Sequence, residues 1–395
     1  MINRTYEAML SEKDIIFEIF QYSLEKAKVV GSDNIYDFSL GNPSVPAPQS
    51  VHDAIIDRTE HLEPLKLHGY SPSFGVPETR EAIAASLNER FRSSYKADNI
   101  FITIGAAGAL AHALRAVTNF EDEVLTFAPH FPEYKPYVGG AGASLKVVPA
   151  DTETFQIDFE KLAQYLNPAV SAVLINSPNN PSGIVYSTET IKRLSDMLTE
   201  ASKVFNHPIY LISDEPYREI LFKGTDAPFI ANYYPNTIVC YSFSKSLSLP
   251  GERIGYLAVN PDCQDGDKII EICPQISRTI GHYGASSLMQ RILPDVCRDT
   301  SDLSVYETNA KILYQALTEY GYSCVKPNGS FYMFPRSLEE DSYAFCAKAR
   351  DKNLMLVPGD VFGCPGHFRI AYCVPTDRVI KSLPVFKELA EEYGY

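Results

Sequence analysis

The chain has 395 residues, of which 45% are hydrophobic and 21% are charged. This length exceeds what one ordinary domain requires, and the composition is typical of a folded globular protein, so we expect a large domain with a smaller companion. Lys and Arg together number 35 against 49 Asp and Glu, which gives a formal net charge of −14. So acidic a surface repels phosphate backbones, which disfavours nucleic acid or an anionic membrane as the partner.

The N-terminus and the cysteines bear on location. The opening segment MINRTYEAMLSEKDIIFEIF carries acidic charges within its apolar part, and no apolar run approaches about 18 residues, so we expect neither a signal peptide nor a membrane span. The eight cysteines lie in the second half without a C-x-x-C pair, a spacing typical of neither a zinc site nor a disulfide framework. We therefore expect reduced thiols, no metal site and a cytoplasmic protein.

In chain order, the first predicted element is an N-terminal helix, because Ile15, Ile16, Ile19, Phe20 and Leu24 recur at helical spacing. Short β-branched runs then predict strands at 100–104, 124–127, 145–148, 172–176, 209–213, 237–241 and 254–259. Helical spacing between them predicts helices at 108–118, 159–166 and 188–202. Strands that alternate with helices predict an α/β fold with a mainly parallel seven-stranded sheet between helices, and ligands of such sheets bind beyond the carboxyl ends of the strands.

The last part of the chain has a different pattern. A long predicted helix at about 300–320 precedes short strands at 323–325, 331–334, 354–357 and 368–373, with helices between and after them. This predicts a smaller α+β domain. We expect an N-terminal arm and helix (1–45) that packs on the small domain, a large domain (46–285) and the C-terminal small domain (286–395).

The segment SFSKSLSLPGERIG (242–255) directly follows a predicted buried strand. Lys245 there lies where the sheet meets the ligand crevice, and a lysine in such a place can condense with an aldehyde. Ser242 and Arg253 could hold a phosphate beside the amine. The alternative is a lysine at a strand end that points to water.

Further polar residues follow other predicted strands. In SDEPYRE (213–219), Asp214 could keep a heterocyclic nitrogen protonated and Tyr217 could donate to a ring oxygen, or Asp214 could only cap a turn. In TIGAAGALAHAL (103–114), the amides of Ala106 and Ala107 could bind an anion at a helix N-terminus, or the small residues could only permit close packing.

Three more residues have two interpretations each. Asn180 in NSPNNPSG (176–183) could aim its amide at a ligand or only form a turn. Phe131 could lie over a flat ring or belong to the core. Arg369 in the apolar strand FRIAY (368–372) needs a bidentate carboxylate partner, which is either a substrate or an internal acid.

The joint order of these motifs resembles that of the class I/II aminotransferases, which depend on pyridoxal phosphate and have fold type I. The resemblance covers almost the whole chain, from SLGNPSVPAP (39–48) through HGYSPSFGVPETREAIA (68–84) to VPGDVFGCPGHFRIAY (357–372). It implies an aminotransferase that moves an amino group from an amino acid to a 2-oxo acid through a Schiff base of pyridoxal 5'-phosphate on Lys245.

The resemblance also implies roles for the other residues. Asp214 corresponds to the partner of the pyridine nitrogen, Tyr217 and Asn180 to the donors to the phenolic oxygen, and Phe131 to the stacking aromatic. The phosphate clamp corresponds to Ala106, Ala107, Ser242 and Arg253, joined by Tyr70 of a neighbouring subunit, which implies a homodimer with shared sites. The family's residues that bind the substrate carboxylate correspond to Arg369, Gly41 and Asn180.

Two departures and two alternatives remain at this point. Ala106 and Ala107 have no side-chain donor, and the turn that contains them has no basic residue that could contact a distal substrate carboxylate. Arg278 is the nearest candidate for that contact, although a solvent-facing position on a helix suits it better. Aspartate-type, aromatic and neutral amino donors all stay open. A lyase or decarboxylase on the same scaffold is the alternative function. A cofactor-sensing regulator fits less well, since the chain is acidic and we expect no DNA-binding domain.

Overall fold

The computed structural model describes residues 2–10 and 14–395. Its helices are α1 (Arg4–Met9), α2 (Ile15–Val30), α3 (Gln49–His61), α4 (Pro64–His68), α5 (Pro77–Phe91), α6 (Gly105–Val117), α7 (Tyr134–Gly140), α8 (Phe159–Tyr165), α9 (Thr188–Phe205), α10 (Phe243–Ser246), α11 (Gly266–Ile280), α12 (Ser287–Val296), α13 (Ser304–Glu319), α14 (Ser342–Asp351) and α15 (Thr376–Glu391). Its strands are β1 (Tyr36–Asp37), β2 (Ile100–Thr103), β3 (Glu123–Phe127), β4 (Ser144–Val148), β5 (Val170–Asn176), β6 (Tyr210–Asp214), β7 (Thr237–Ser242), β8 (Gly255–Val259), β9 (Tyr332–Met333), β10 (Leu354–Met355), β11 (Val357–Pro358) and β12 (Phe368–Ala371).

A seven-stranded sheet in the described residues confirms the predicted fold class. Its strand order is β2-β8-β7-β6-β5-β3-β4, and its members are the strands that the β-branched runs predict. Neighbours from β7 to β4 pair in parallel, whereas β8 runs antiparallel to both β2 and β7. β6 and β7 are buried along their whole length because helices cover both faces of the sheet.

The helices on the two faces form separate cores. On one face, α6 and α11 pack together and bury Ala109, Leu110 and Ile270 against the sheet. On the other face, α9 buries Ile191, Leu194 and Leu198. The Ser187 hydroxyl accepts from the Thr190 amide at the start of α9, which satisfies one of the free N–H groups there.

A second layer of structure contains two smaller sheets. The strands β11, β12 and β9 pair antiparallel in that order, and β1 near the N-terminus pairs in parallel with β10. α2 packs on β10 and β11. The predicted strand at 323–325 is wrong, because this segment forms no ladder with another strand. The Arg336 N–H donates to the Ser323 carbonyl, and Pro327 follows two residues after the segment.

α12 lies beyond the predicted domain boundary at 285 but belongs by its contacts to the large sheet's layer. It packs against α3 and α5 and buries Met289, Leu293 and Val296 beside Val51 and Ile83. The chain therefore passes to the smaller sheets only after α12.

Two features extend over the whole of the described chain. Over residues 2–10 and 14–395, no helix combines the length and apolar character that crossing a bilayer requires. All eight cysteines carry free thiols, and each except the half-buried Cys324 is buried.

Candidate active site

A cavity of about 320 Å³ opens at the carboxyl ends of adjacent parallel strands. Asn176, Asp214 and Ser242 end β5, β6 and β7, so the order of these strands in the sheet places their polar side chains along one rim. Most of the predicted site residues line this cavity: Gly41, Ala106, Ala107, Phe131, Asn180, Asp214, Tyr217, Ser242, Lys245, Arg253 and Arg369.

One end of the cavity is built for an anion. Gly105 begins α6 at φ +79°, so the first turn presents Ala106 and Ala107 to the cavity with backbone amides of a helix N-terminus. A Cβ at Gly105 would lie 3.2 Å from Arg253 Nη2 and 3.5 Å from Ser242 Oγ. Helix amides, a hydroxyl and a guanidinium thus meet in one small space beside Gly105.

Asp214, the last residue of β6, is buried at the rim. Tyr134, at the start of α7, donates its hydroxyl to Asp214 Oδ2 at 2.8 Å, while the buried Oδ1 has no hydrogen-bond partner among the described residues. Burial raises the pKa of Asp214 to about 7, and the bond from Tyr134 opposes that rise. A cation placed against Oδ1 would restore the ionised form.

Lys245 follows β7 on the short helix α10. Its Nζ donates to the Gly41 carbonyl at 2.7 Å and lies 5.5 Å from the centre of the Phe331 ring. Burial lowers its pKa to about 8, and the charges of Arg253 and Arg369 act in the same direction. The side chain is therefore far readier to become a neutral amine than a lysine in water.

Tyr217, Asn180 and Phe131 frame the space between Lys245 and Asp214. The Tyr217 hydroxyl lies 3.0 Å from that of Tyr332. The backbone amide of Asn180 donates to Asn176 Oδ1 at 2.6 Å, which fixes the turn after β5. Phe131 presents an aromatic ring to the same cavity.

Arg369, on β12, enters the cavity from the smaller sheets and is 2% exposed. Its Nη1 donates to Asn180 Oδ1 at 3.1 Å and its Nη2 donates to the Ser39 carbonyl, whereas its buried Nε has no partner among the described residues. No salt bridge is recorded for it, so the internal-acid alternative is not what the described residues show. A guanidinium held this way needs an anion.

Two of the predicted residues lie elsewhere in the single chain. Tyr70 is fully exposed and does not line the cavity. Arg278, near the end of α11, is exposed and donates to Gln275 Oε1 at 2.9 Å. The solvent-facing alternative for Arg278 therefore describes its position in one chain.

Sequence reasoning missed several residues of this site. The lining also contains Ile16 from α2, Leu40, Tyr137 and Tyr332, and Tyr134 acts on Asp214 from outside the lining. Ile16 has the spacing of a core position, and Tyr332 lies in an apolar strand, so neither shows a chemical pattern. Tyr134 has a usable signal, since it lies three residues after Phe131, at the start of α7.

Comparison with known proteins identifies the family. A model of the family described as aminotransferase class I and II matches residues 33–383. The chain belongs to the class I and II aminotransferases. Its function is thus to transfer an amino group from an amino acid to a 2-oxo acid, its cofactor is pyridoxal phosphate, and the predicted resemblance is confirmed.

Individual relatives agree with this family. The chain is similar to a crystal structure of an amino transferase from Eubacterium rectale, with 47% identity, a TM-score of 0.97 and all of both chains covered. It is 28% identical over 376 residues to a probable aspartate aminotransferase from Methanocaldococcus jannaschii, which covers 92% of this chain and 95% of the relative. It is 27% identical to an aromatic-amino-acid aminotransferase 2 from Thermococcus litoralis over 92% and 93% of the two chains.

The cavity of this aminotransferase fits pyridoxal phosphate. The anion space beside Gly105 suits its phosphate, and the unpartnered Oδ1 of Asp214 suits a protonated ring nitrogen. Lys245 supplies an amine that its surroundings bring close to neutrality. Over the described residues, no group of His, Cys, Asp and Glu is arranged to hold a metal ion.

Proposed function

We propose that this cavity is the aminotransferase active site and that Lys245 is the residue bound covalently to the cofactor. Pyridoxal phosphate, when bound, supplies an aldehyde for the amino group and a ring that accepts electrons from the Cα–H bond. The observation that carries the assignment is the presence in one cavity of a half-buried, readily deprotonated Lys245 and a buried Asp214 whose Oδ1 has no partner among the described residues. Binding of one cofactor by both residues explains why Lys245 and Asp214 lie in the same cavity.

The cofactor would be held by four kinds of contact in this proposal. The Ala106 and Ala107 amides, Ser242 Oγ and Arg253 bind the phosphate. Asp214 keeps the ring nitrogen protonated, because its ionised form is the one that a neighbouring cation favours. Phe131 would stack on the ring, and Tyr217 and Asn180 would donate to its phenolic oxygen.

Arg369 orients the substrate, and Lys245 moves its proton. Arg369 binds the α-carboxylate, with Asn180 and the Gly41 backbone beside it, and this fixes the direction of the Cα–H bond. As a free amine, Lys245 Nζ would take the proton from Cα as a general base and deliver it to the cofactor's aldehyde carbon as an acid. A pKa of about 8 suits a group that must do both near neutral pH.

We further propose a homodimer in which Tyr70 completes the partner's phosphate site. The support is that Tyr70 is fully exposed in one chain although its segment resembles the family's shared tyrosine. The proposed domains keep the N-terminal arm (1–45) with the small domain and start the large domain at 46. Their second boundary moves from 285 to the segment between α12 and α13, because α12 packs on α3 and α5. The free thiols support the proposed cytoplasmic location.

For the amino donor, we propose the character of the side-chain pocket and not a single amino acid. The basic side chains in the described lining are Lys245, Arg253 and Arg369, and each has a proposed task already. The pocket for the substrate side chain is therefore not primarily a carboxylate trap within one chain. Relatives named for aspartate and for aromatic amino acids both occur, so donors of both kinds belong in the test.

Replacing Lys245 with Ala tests the central assignment. The Lys245→Ala protein should lose aminotransferase turnover while its anion cradle still binds pyridoxal phosphate, because the phosphate contacts are untouched. Turnover with aspartate and with phenylalanine, and retention of the cofactor after dialysis, are the measurements. The exposed Lys268, which pairs with Asp265 on α11, provides a matched Lys→Ala control that should keep full activity. Wild-type turnover in Lys245→Ala would end the proposal.

A spectrum of the wild-type protein separates transamination from lyase chemistry. A single amino acid should abolish the visible absorption in a stoichiometric step, and 2-oxoglutarate should restore it. Continuous release of pyruvate or ammonia without an oxo acid would instead show that the same residues support a lyase.

A further inference from the structure

Tyr332 occupies a position that the proposed roles do not use. It lies on β9, next to the strand β12 that carries Arg369, with Tyr332 paired in register to Ala371. Its side chain is 2% exposed and lines the cavity. A buried tyrosine usually serves the core, and the ring of Tyr332 does pack on Phe331. Its hydroxyl group, however, faces the site.

That side chain contacts three parts of the site at once. Its hydroxyl lies 3.0 Å from the hydroxyl of Tyr217. Its ring lies under the guanidinium of Arg369, with 4.8 Å between the guanidinium carbon and the ring centre. A Cβ added to Gly41 would lie 2.0 Å from its hydroxyl oxygen, so a residue other than glycine at position 41 would collide with the phenol.

The direction of the bond between the two phenols follows from their surroundings. A deprotonated phenolic oxygen of the cofactor can only accept hydrogen bonds, so Tyr217 must donate its single proton to it. Tyr332 must then donate to Tyr217. A hydroxyl that accepts a hydrogen bond becomes a stronger donor, because the bonds of a chain polarise one another in a low-dielectric site.

We infer that Tyr332 is a positioning residue that holds Tyr217 in its donating orientation and whose ring supports Arg369 from below. This inference rests on the proposed function, since it takes Tyr217 as a donor to the cofactor. The small domain thereby contributes to the cofactor site through Tyr332 as well as to the substrate site through Arg369.

The sign of the expected effect follows from charge. Negative charge on the phenolic oxygen holds a proton on Nζ of Lys245 when this nitrogen is bonded to the cofactor. Donors to that oxygen draw the charge away and weaken its hold on the proton. Loss of the Tyr332 hydroxyl makes Tyr217 a weaker donor, so the proton should stay on Nζ to higher pH.

The test is a pH titration of the visible absorption of the holoenzyme. In Tyr217→Phe the midpoint should rise by about one pH unit or more, the scale of a lost bond to a charged group. In Tyr332→Phe it should rise by about 0.1–0.7 unit, the share expected from polarisation along a two-bond chain. In the double variant, Tyr332→Phe should add nothing, because the bond that it strengthens is gone.

A matched control loses a comparable buried hydroxyl away from the site. Tyr322 donates to the Phe386 carbonyl at 3.0 Å within the small domain, and Tyr322→Phe should leave the midpoint unchanged. For the ring, Tyr332→Leu should raise KM for every amino donor several-fold more than Tyr332→Phe, which keeps the contact with Arg369.

The possible failures are distinguishable. An unshifted midpoint in Tyr217→Phe contradicts the proposed role of Tyr217 itself. A shift in Tyr217→Phe with none in Tyr332→Phe overturns the inference about Tyr332 and leaves the proposed function intact. Additive shifts in the double variant also overturn it, because they would mean that Tyr332 acts independently of Tyr217.

Discussion

Burial moves the pKa values of Asp214 and Lys245 toward each other from opposite directions. The pKa of the Asp214 carboxyl rises to about 7 and the pKa of the Lys245 ammonium falls to about 8, because burial disfavours the charged form of each. Without the cofactor these groups are therefore a source of instability. With it, each gains a partner of suitable charge or a covalent bond, which is the relation expected of a functional site rather than of a structural ion pair.

This relation predicts that the cofactor-free protein is stabilised by Asp214→Asn. The folded-state pKa of about 7 lies above the ordinary carboxyl pKa of 3.8, so the folded state binds more protons than the unfolded state between these values. Stability therefore falls as the pH rises through that window and the full penalty is present above it. The neutral amide of the variant would accept the hydrogen bond from the Tyr134 hydroxyl without burying a charge. The resulting gain in the free energy of unfolding should be on the order of 1–3 kcal/mol, which corresponds to about 1–4 °C in Tm.

Thermal unfolding of the cofactor-free proteins checks the sign. The advantage of Asp214→Asn over the parent protein should be present at about pH 8 and shrink toward about pH 4. The variant should meanwhile bind pyridoxal phosphate more weakly, since it cannot carry the negative charge. An advantage that is equal at both ends of the pH range would show that burial of the carboxylate is not its cause.

Arg369 supports a second prediction at this scale. Arg369→Lys keeps the charge and loses the fork that binds a carboxylate with two parallel bonds. The loss of one charged hydrogen bond, about 1.5–3 kcal/mol, predicts a decrease of about 10- to 150-fold in kcat/KM. The decrease should be similar for aspartate, phenylalanine and alanine, because they share the α-carboxylate. A decrease confined to one donor would assign Arg369 to the side-chain pocket.

At the scale of elements, the ends of strands and helices carry the site. The predicted start of the helix at 108 is three residues later than the start of α6 at Gly105. Glycine and alanine give little indication of a helix start, whereas in the structure the positive φ of Gly105 turns the chain directly from β2 into the helix. Those three residues are the ones that form the anion space.

α11 provides the prediction at the element scale. Arg278 is exposed near its C-terminal end and donates to Gln275 in one chain. Arg278→Ala should therefore change kcat/KM for aspartate and glutamate no more than for a neutral donor such as alanine. If it removes dicarboxylate activity selectively by about an order of magnitude or more, the scale of a lost charged hydrogen bond, Arg278 reaches a distal carboxylate in the assembled enzyme and the proposed pocket is wrong.

For the whole molecule, the cavity is made by parts of the chain that are far apart in sequence. Asp214 ends β6 of the large sheet and Lys245 lies on α10 directly after β7. Arg369 and Tyr332 come from the smaller sheets, and Gly41 comes from the arm that precedes α3. The position of one layer relative to the other thus sets the distance between the cofactor contacts and the substrate contacts. The proposed dimer adds Tyr70 as a contribution from a second chain.

Subunit mixing tests that proposed dimer. Tyr70→Phe protein and Lys245→Ala protein should form hybrids with one intact site and one doubly damaged site, because an intact site needs Lys245 of one subunit and Tyr70 of the other. After subunit exchange, the mixture should be more active than the mean of its parents. A mixture that stays at that mean, although exchange is verified by mass, would remove the support for shared sites.

The sequence by itself determined the sheet and located the polar residues that we propose for the cofactor side of the site. Hydrophobic runs and turn residues are local, so the seven strands and the polar residues that follow Ile175, Ser213 and Tyr241 could be located without a structure. The order of these motifs along the chain then indicated the family and the cofactor. The false strand at 323–325 shows the limit of this reasoning, since a short apolar run becomes a strand only if another strand pairs with it.

Only the tertiary structure decided which side chains meet across the layers. The contacts of Tyr332 with Tyr217 and of Tyr134 with Asp214 join residues 115 and 80 positions apart. The membership of α12 in the large layer likewise depends on packing against α3 and α5. The physical reason is that the role of a buried hydroxyl or an apolar helix face depends on the group that it contacts in the folded chain. Local spacing in the sequence carries no information about that partner.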